Sequence, residues 1–223
     1  MYNSQNHKKQ MQQPKLLHES PLDKLYWERT YWTKGYCHVA GVDEAGRGCW
    51  AGPVVAAAVI FDSNTYLPEI NDSKKLKAEI RDKLYDVILS SAVSFAVGIV
   101  SNQVIDQINI LQASLVAMGD AVSGLKIKPD FILVDGNHGL SMNIPNKPLI
   151  KGDALSMTIG AASIVAKVTR DRLMQQVQKE FPQFSFGIHK GYGTRAHQEE
   201  LKKYGPTSCH RMTFKPLKEM GSV

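Results

Sequence analysis

The sequence has little cysteine: Cys37, Cys49 and Cys209 are the only three in 223 residues. The number is odd and no CxxC pair occurs, so neither a disulfide framework nor a cysteine-based structural zinc site can be read from it. A reducing cytoplasm is the expected compartment. Long apolar runs are also missing. The longest, Val54 to Phe61, has eight residues, against about 20 needed to cross a bilayer, so no membrane association is expected. The first 15 residues carry Gln, Asn and Lys without an apolar block, and no secretory leader is expected. Internal repeats are absent. Gly46-Arg47-Gly48 is not followed by the Gly-Lys-Ser/Thr of a nucleotide-phosphate loop. What is not lacking is apolar material. Hydrophobic residues make up 43% and charged residues 22%, enough to exclude disorder of the whole chain. At about 150 residues per domain, the length fits one domain with appendages.

Charge is unevenly placed. The net charge of +6 divides into +3 over residues 1–38, −3 over 39–166 and +6 over 167–223. An acidic middle therefore lies between basic ends. Basic surface draws in phosphate backbones by releasing condensed counterions, although a lysine-rich soluble surface has the same composition.

Residues 1–20 read as a polar tail, and Leu25 to Trp32 as a short aromatic helix. Strands are expected over His38–Asp43, Val54–Phe61, Ser94–Val100 and Phe131–Val134. Helical periodicity covers Lys77–Ala92, Ile110–Val122 (ended by Gly124), Ser156–Phe181 (stopped by Pro182) and Arg195–Tyr204. Pro145 and Pro148 read as punctuating a loop. Strands first and alternating elements later predict a mixed sheet covered by helices, α/β or α+β. The apolar strand ending at Asp135 is expected to be central and parallel to the first.

Four acidic residues fall where elements meet loops. Asp43 and Glu44 end the first strand, Asp135 ends a later one, and Asp153 precedes the long helix. If the two strands are parallel neighbours, Asp43 and Asp135 emerge at one sheet edge, where open α/β sheets bind ligands. Converging carboxylates repel unless a cation neutralises them, and an all-oxygen set suits Mg²⁺ or Mn²⁺. Two such ions can activate water and stabilise the leaving oxygen of a phosphodiester. Each residue also has a plain reading: Asp135-Gly136 as a turn, Asp153 as a helix cap, Asp43-Glu44 as a solvated strand end.

Gly46-Arg47-Gly48 sets backbone amides and a guanidinium beside two carboxylates. Such a turn can read a 2′-hydroxyl or a phosphate, or be only a tight turn. Ser73-Lys74-Lys75 offers two cations from a loop. In His189-Lys190-Gly191-Tyr192 a tyrosine stands among basic and flexible residues, placed to stack on a sugar or base or to close a core edge. His210-Arg211 adds basic character near the end. His138 and His197 read as surface residues.

These segments together resemble a known family. Gly41-Val42-Asp43-Glu44-Ala45-Gly46-Arg47-Gly48, followed by Ala51-Gly52-Pro53-Val54-Val55-Ala56-Ala57-Ala58-Val59, resembles the signature of ribonuclease HII. Asn71-Asp72-Ser73-Lys74-Lys75-Leu76, Val134-Asp135-Gly136-Asn137, Lys151-Gly152-Asp153 with Ala161 through Asp171, and His189-Lys190-Gly191-Tyr192 fit in the same order. The resemblance covers about residues 38–213. It implies an α/β, ribonuclease H-like fold: a mixed five-stranded sheet flanked by helices, with a small helical C-terminal part. It implies a core over residues 38–182, a basic substrate-binding part over 183–223, and an extension over 1–37. It implies a cytoplasmic, monomeric endonuclease that cuts RNA in RNA–DNA hybrids and incises at single ribonucleotides in duplex DNA. Asp43, Glu44, Asp135 and Asp153 map onto the family's catalytic, metal-holding carboxylates, with Mn²⁺ or Mg²⁺ as cofactor. Gly46, Arg47 and Gly48 map onto its junction-reading turn and Tyr192 onto its stacking tyrosine; Lys74 and Lys75 are read as substrate-binding cations, although a solvated loop surface has the same residues. Two features depart from the pattern. Cys49-Trp50 stands where Pro-Leu is common, a change expected to touch packing more than chemistry. Residues before His38 match nothing in the family, and are too short for the substrate-binding domain of ribonuclease HIII.

Overall fold

Three hydrophobic strand sequences set the middle of one sheet. The computed structural model describes residues 23–70, 73 and 76–220. The tail expected over residues 1–20 therefore lies outside the described residues, as do Asn71, Asp72, Lys74 and Lys75. Strands β1 (Val39–Ala45), β2 (Val54–Ile60), β3 (Ser94–Val100), β4 (Phe131–Asp135) and β5 (Asn146–Leu149) form a sheet in the order β3-β2-β1-β4-β5. β2 pairs antiparallel with β1 and β3, whereas β4 runs parallel to both β1 and β5. The sheet is mixed, as expected, and β1 lies at its centre.

All seven residues of β2 are buried. A strand without polar alternation must be covered on both faces, and helices cover both. On one face, Ala40, Val42, Ala56 and Ala58 pack against Ala117 and Ala121 of helix α4 (Ile110–Ser123). On the other, Ala57 and Val59 pack with Ala161 and Val165 of α6 (Met157–Glu180) and Leu84 and Ile88 of α2 (Ala78–Ser91). Helix α6 lies so close to β1 that a Cβ on Gly41 would come 2.2 Å from the Thr158 carbonyl carbon. Only glycine permits that approach.

One local expectation is corrected, and one helix is added. Pro145 and Pro148 do not mark a plain loop, because Asn146–Leu149 is the edge strand β5. Pro148 is tolerated there because an edge strand leaves one side without ladder partners. Residues Asn102–Ile108 form a further helix, α3, whose N-terminus is capped by Ser101 accepting from the Val104 amide.

The chain ends wrap onto this core. Helix α1 (Tyr26–Trp32) docks at the start of α6: the Met157 amide donates to the Lys24 carbonyl at 2.8 Å, and Lys24 Nζ donates to the Ala154 carbonyl at 2.8 Å. Short helices α5 (Gly152–Leu155), α7 (Phe186–His189) and α9 (Leu217–Met220) and the longer α8 (Arg195–Tyr204) complete the fold. Phe184, Phe186, Leu201 and Leu217 bury against Ala51 and Met174, joining the C-terminal helices to α6 and the loop between β1 and β2. Among the described residues no helix is long and apolar enough to cross a membrane.

Candidate active site

The parallel register sets Val42 opposite Val134, so the next residues, Asp43 near the end of β1 and Asp135 at the end of β4, lie on neighbouring strands at one edge. Gly152, which opens α5, brings the third acidic residue alongside: the Gly152 and Asp153 amides donate to Asp135 Oδ1 at 2.6 and 3.4 Å. Asp43 and Asp153 are buried. Burial, then the neighbouring Glu44 and Asp135, pushes the Asp43 carboxyl well above its ordinary pKa, while a hydrogen bond from Ser163 of α6 opposes the shift. Glu44 is also raised, chiefly by burial, with Arg47 pulling it back. Arg47 Nη1 lies 3.2 Å from Glu44 Oε1.

Among the described residues no three His, Cys, Asp or Glu side chains stand together as a ready-made metal cage. Strand alternation accounts for this. Asp43 faces Ser163 and α6, whereas Glu44 faces Leu111 and Met118 of α4. The donor set still fits a hard divalent cation. It is all oxygen, its members repel one another, and Glu44 Oε2 is buried without a hydrogen-bond partner among the described residues.

A groove of about 260 Å³ runs from Glu44 past Gly46, Arg47 and Gly48 to Tyr192, with Ser73, Ser163 and Lys167 on its other side. Gly46 has φ +99°, and the site of its missing Cβ is filled by the Arg170 guanidinium. Gly48 faces open space. Tyr192 is 40% exposed and lines this groove.

Residues 40–217 match the family model described as Ribonuclease HII. A ribonuclease HII of Syntrophus aciditrophicus (strain SB) is 53% identical over 190 residues, covering 85% of this chain and 90% of that one. One from Geotalea daltonii is 51% identical over 204 residues, covering 92% and 94%. The chain belongs to the ribonuclease HII family. It is a metal-dependent endoribonuclease acting on the RNA of RNA–DNA hybrids. The ribonuclease H-like fold agrees: the crystal structure of ribonuclease H2 from Pyrococcus horikoshii OT3 superposes with a TM-score of 0.69 at 28% identity, covering 82% of this chain and 96% of that one.

Several sequence readings need correction. His210 and Arg211 do not add basic surface, because both are buried. His197 is fully buried, not a surface residue, whereas His138 is exposed as expected. Lys74 and Lys75 lie outside the described residues. Cys49 does more than pack. It forms a β-bridge with Tyr192, and burial, then the neighbouring Cys49, pushes the Tyr192 hydroxyl pKa up to about 12. Trp50 fills the space a Cβ on Gly193 would need.

Two buried arginines hold backbone carbonyls, a role the sequence reading did not suggest for either. Arg170 donates to the carbonyls of Pro53, Ala51 and Lys190 at 2.8–3.0 Å. Arg211 donates to those of Gly52 and Arg47 at 3.0 and 2.9 Å. Together they tie the glycine turn to α6 and to the C-terminal part. A signal existed for one of them: Ser163, Lys167 and Arg170 stand at i, i+4 and i+7 on α6, one stripe of a helix. Nothing local marks Arg211, whose partners are 159 and 164 residues away in the chain.

Proposed function

We propose that this enzyme incises duplex DNA on the 5′ side of a single embedded ribonucleotide, as well as cutting longer hybrids, and leaves 5′-phosphate and 3′-hydroxyl ends. The observation that carries the reading is the groove joining the carboxylate edge to the glycine turn and to the partly exposed Tyr192. Asp43, Glu44, Asp135 and Asp153 would hold two Mn²⁺ or Mg²⁺ ions. Bound there, the ions supply Lewis acidity for attack by water on the phosphodiester and for departure of the 3′-oxygen.

The chain's own residues do the rest. Backbone amides of Gly46 to Gly48 meet the 2′-hydroxyl, the group that separates RNA from DNA. Gly48 leaves room for that approach. Arg47 moderates the charge on Glu44. Tyr192 stacks against the next sugar, where a 2′-hydroxyl would collide. Lys167 Nζ lies 5.4 Å from the Tyr192 ring centre, and it and the sequence-assigned cations Lys74 and Lys75 would contact phosphates. Residues 183–223 act as the substrate-binding part beside the core of 38–182, with the exposed Arg195 and Lys215 supplying non-specific affinity. The partners are then RNA–DNA hybrid and ribonucleotide-containing duplex DNA, bound by a monomer.

The test is cleavage of end-labelled duplex DNA carrying one ribonucleotide, with Mg²⁺ or Mn²⁺ present. A single cut on its 5′ side is expected, lost with chelator and on all-DNA duplex. Tyr192→Ala should lose that cut more than it loses hybrid cleavage. Equal losses on both substrates would remove the stacking role, and no cut with either metal would remove junction incision.

A further inference from the structure

Three histidines, His189, His197 and His210, are buried beneath the Tyr192 segment. The rings of His189 and His197 stack at 4.3 Å and 10°. Trp50, Phe184 and Phe186 lie 5.5–6.0 Å from His197 between ring centres. Their contacts fix where each proton sits. The Thr207 amide is a donor only, and it points at His210 Nδ1 at 2.9 Å. His210 Nδ1 must therefore accept, and a neutral His210 carries its proton on Nε2. That Nε2–H lies 3.0 Å from His197 Nε2, which must accept in turn. The His197 proton is then on Nδ1, 2.9 Å from the Tyr192 carbonyl oxygen, and donates to it. A second chain follows the same logic. The Gly191 amide donates to His189 Nδ1 at 3.1 Å, so His189 Nε2–H donates to Glu200 Oε2 at 2.9 Å. Glu200 Oε1 accepts from the Ser185 amide at 3.0 Å. Both chains end on the Gly191-Tyr192 backbone.

We infer that His210 and His197 form a relay of fixed tautomers that positions Tyr192, so that His197 is a positioning residue for reading the ribonucleotide–DNA junction. This rests on the junction-reading role proposed for Tyr192. The relay works only while both rings are neutral, since a protonated His197 has no acceptor left for His210. Burial keeps them so, lowering both to about 4. The arrangement gives a tyrosine on a glycine-flanked turn a single position. Gly191 has φ +81° and no side chain to hold the turn itself.

The experiment uses the full chain with three substitutions: His197→Asn, His197→Leu and Tyr192→Ala. The amide nitrogen of Asn falls near the position of Nδ1 and keeps a donor for the Tyr192 carbonyl, whereas Leu keeps none. The readout is kcat/KM on the single-ribonucleotide duplex divided by kcat/KM on a long hybrid, with kcat and KM taken separately. His197→Leu should lower this ratio by about tenfold, the factor of one lost hydrogen bond, and His197→Asn should hold it within about threefold. A structural role alone would lower both substrates together and leave the ratio unchanged, which would overturn the relay. If Tyr192→Ala leaves the ratio unchanged, the premise fails instead, and the relay falls with it. Where His197→Leu does not fold, ¹⁵N spectra of the wild-type imidazoles decide. The proton should sit on Nδ1 of His197 and on Nε2 of His210 and His189. Any other pattern would overturn the inference.

Discussion

Replacing Glu28 by alanine should destabilise the enzyme by about 3 kcal/mol, although Glu28 lies outside the stretch that matches the family model. Glu28 is fully buried in α1. Its Oε1 accepts from Ser156 Oγ at 2.6 Å, the Thr158 amide at 2.9 Å and Thr158 Oγ1 at 2.8 Å. It is thus an acceptor from another element at the N-terminus of α6, the 24-residue helix that packs on β1. Without it, the two hydroxyls, 3.1 Å apart, can bond each other, but the Thr158 amide is left buried and unpaired. An orphaned buried amide costs about 1–3 kcal/mol, and the vacated volume adds a comparable amount. Relief of the buried carboxylate gives part of this back. For a protein of this size, about 3 kcal/mol corresponds to a Tm lower by roughly 6–12 °C. Glu28→Gln keeps Oε1 and should lose about 1 kcal/mol or less. The comparison also depends on pH. Burial raises the Glu28 pKa above 4.5 despite its hydrogen bonds, so the folded state binds this proton more tightly than the unfolded chain does. Wild-type stability therefore falls, relative to Glu28→Gln, as pH rises from about 4.5 through the folded pKa. Urea unfolding across pH 4–8 measures both effects. A Glu28→Ala protein within about 0.5 kcal/mol of wild type would show that α6 does not need this cap, and would sink the reasoning.

Other perturbations test other joints. Gly41→Ala must push the α6 backbone off β1, since the added Cβ meets main-chain atoms at 2.2–2.6 Å; a loss of about 3 kcal/mol or more is expected by chemical denaturation, and an unchanged midpoint would refute the close approach. Arg211→Met removes a buried cation whose pKa burial lowers to about 10 and leaves two carbonyls without their donor, so stability should fall by about 2–4 kcal/mol. With the carbonyls of Arg47 and Gly52 freed, activity should fall further than stability, and an active, stable variant would deny Arg211 its hold on the glycine turn. The two relay histidines make stability acid-sensitive. Their folded pKa values lie below the ordinary 6.5, so the unfolded chain takes up protons first as pH falls from 6.5 toward 4. Each ring then withdraws on the order of 3 kcal/mol. Imidazole NMR signals titrating near 6.5 would contradict this.

Much of the fold was legible because its signals are local. The apolar runs of β2 and β4, the periodicity of α2, α4 and α6, and Pro182 after α6 all act within a few residues. Strand β5 escaped because prolines beside a four-residue segment look like loop, and only pairing with β4 makes Asn146–Leu149 a strand. Helix α3 escaped because its seven residues hold too few apolar positions for a clear period. At the site, the carboxylates at strand ends were readable because parallel strands deliver their last residues to one edge. Which face each would take, with Asp43 toward α6 and Glu44 toward α4, followed from alternation, although the sequence reading did not draw it.

The sequence by itself determined the order of the longer elements, the acidic edge, the glycine turn and the family, because these depend on residue type and short spacing. It also supplied Tyr192 and the histidines as residues, but not their circumstances. Only the tertiary structure decided that His197, His210 and Arg211 are buried and that Cys49 touches Tyr192. It alone brought Glu28 from an unmatched N-terminal helix to cap α6. In each case the deciding partner is a backbone carbonyl, amide or ring supplied by a different segment. Charge and polarity along the chain cannot tell whether such a partner will be there to replace water.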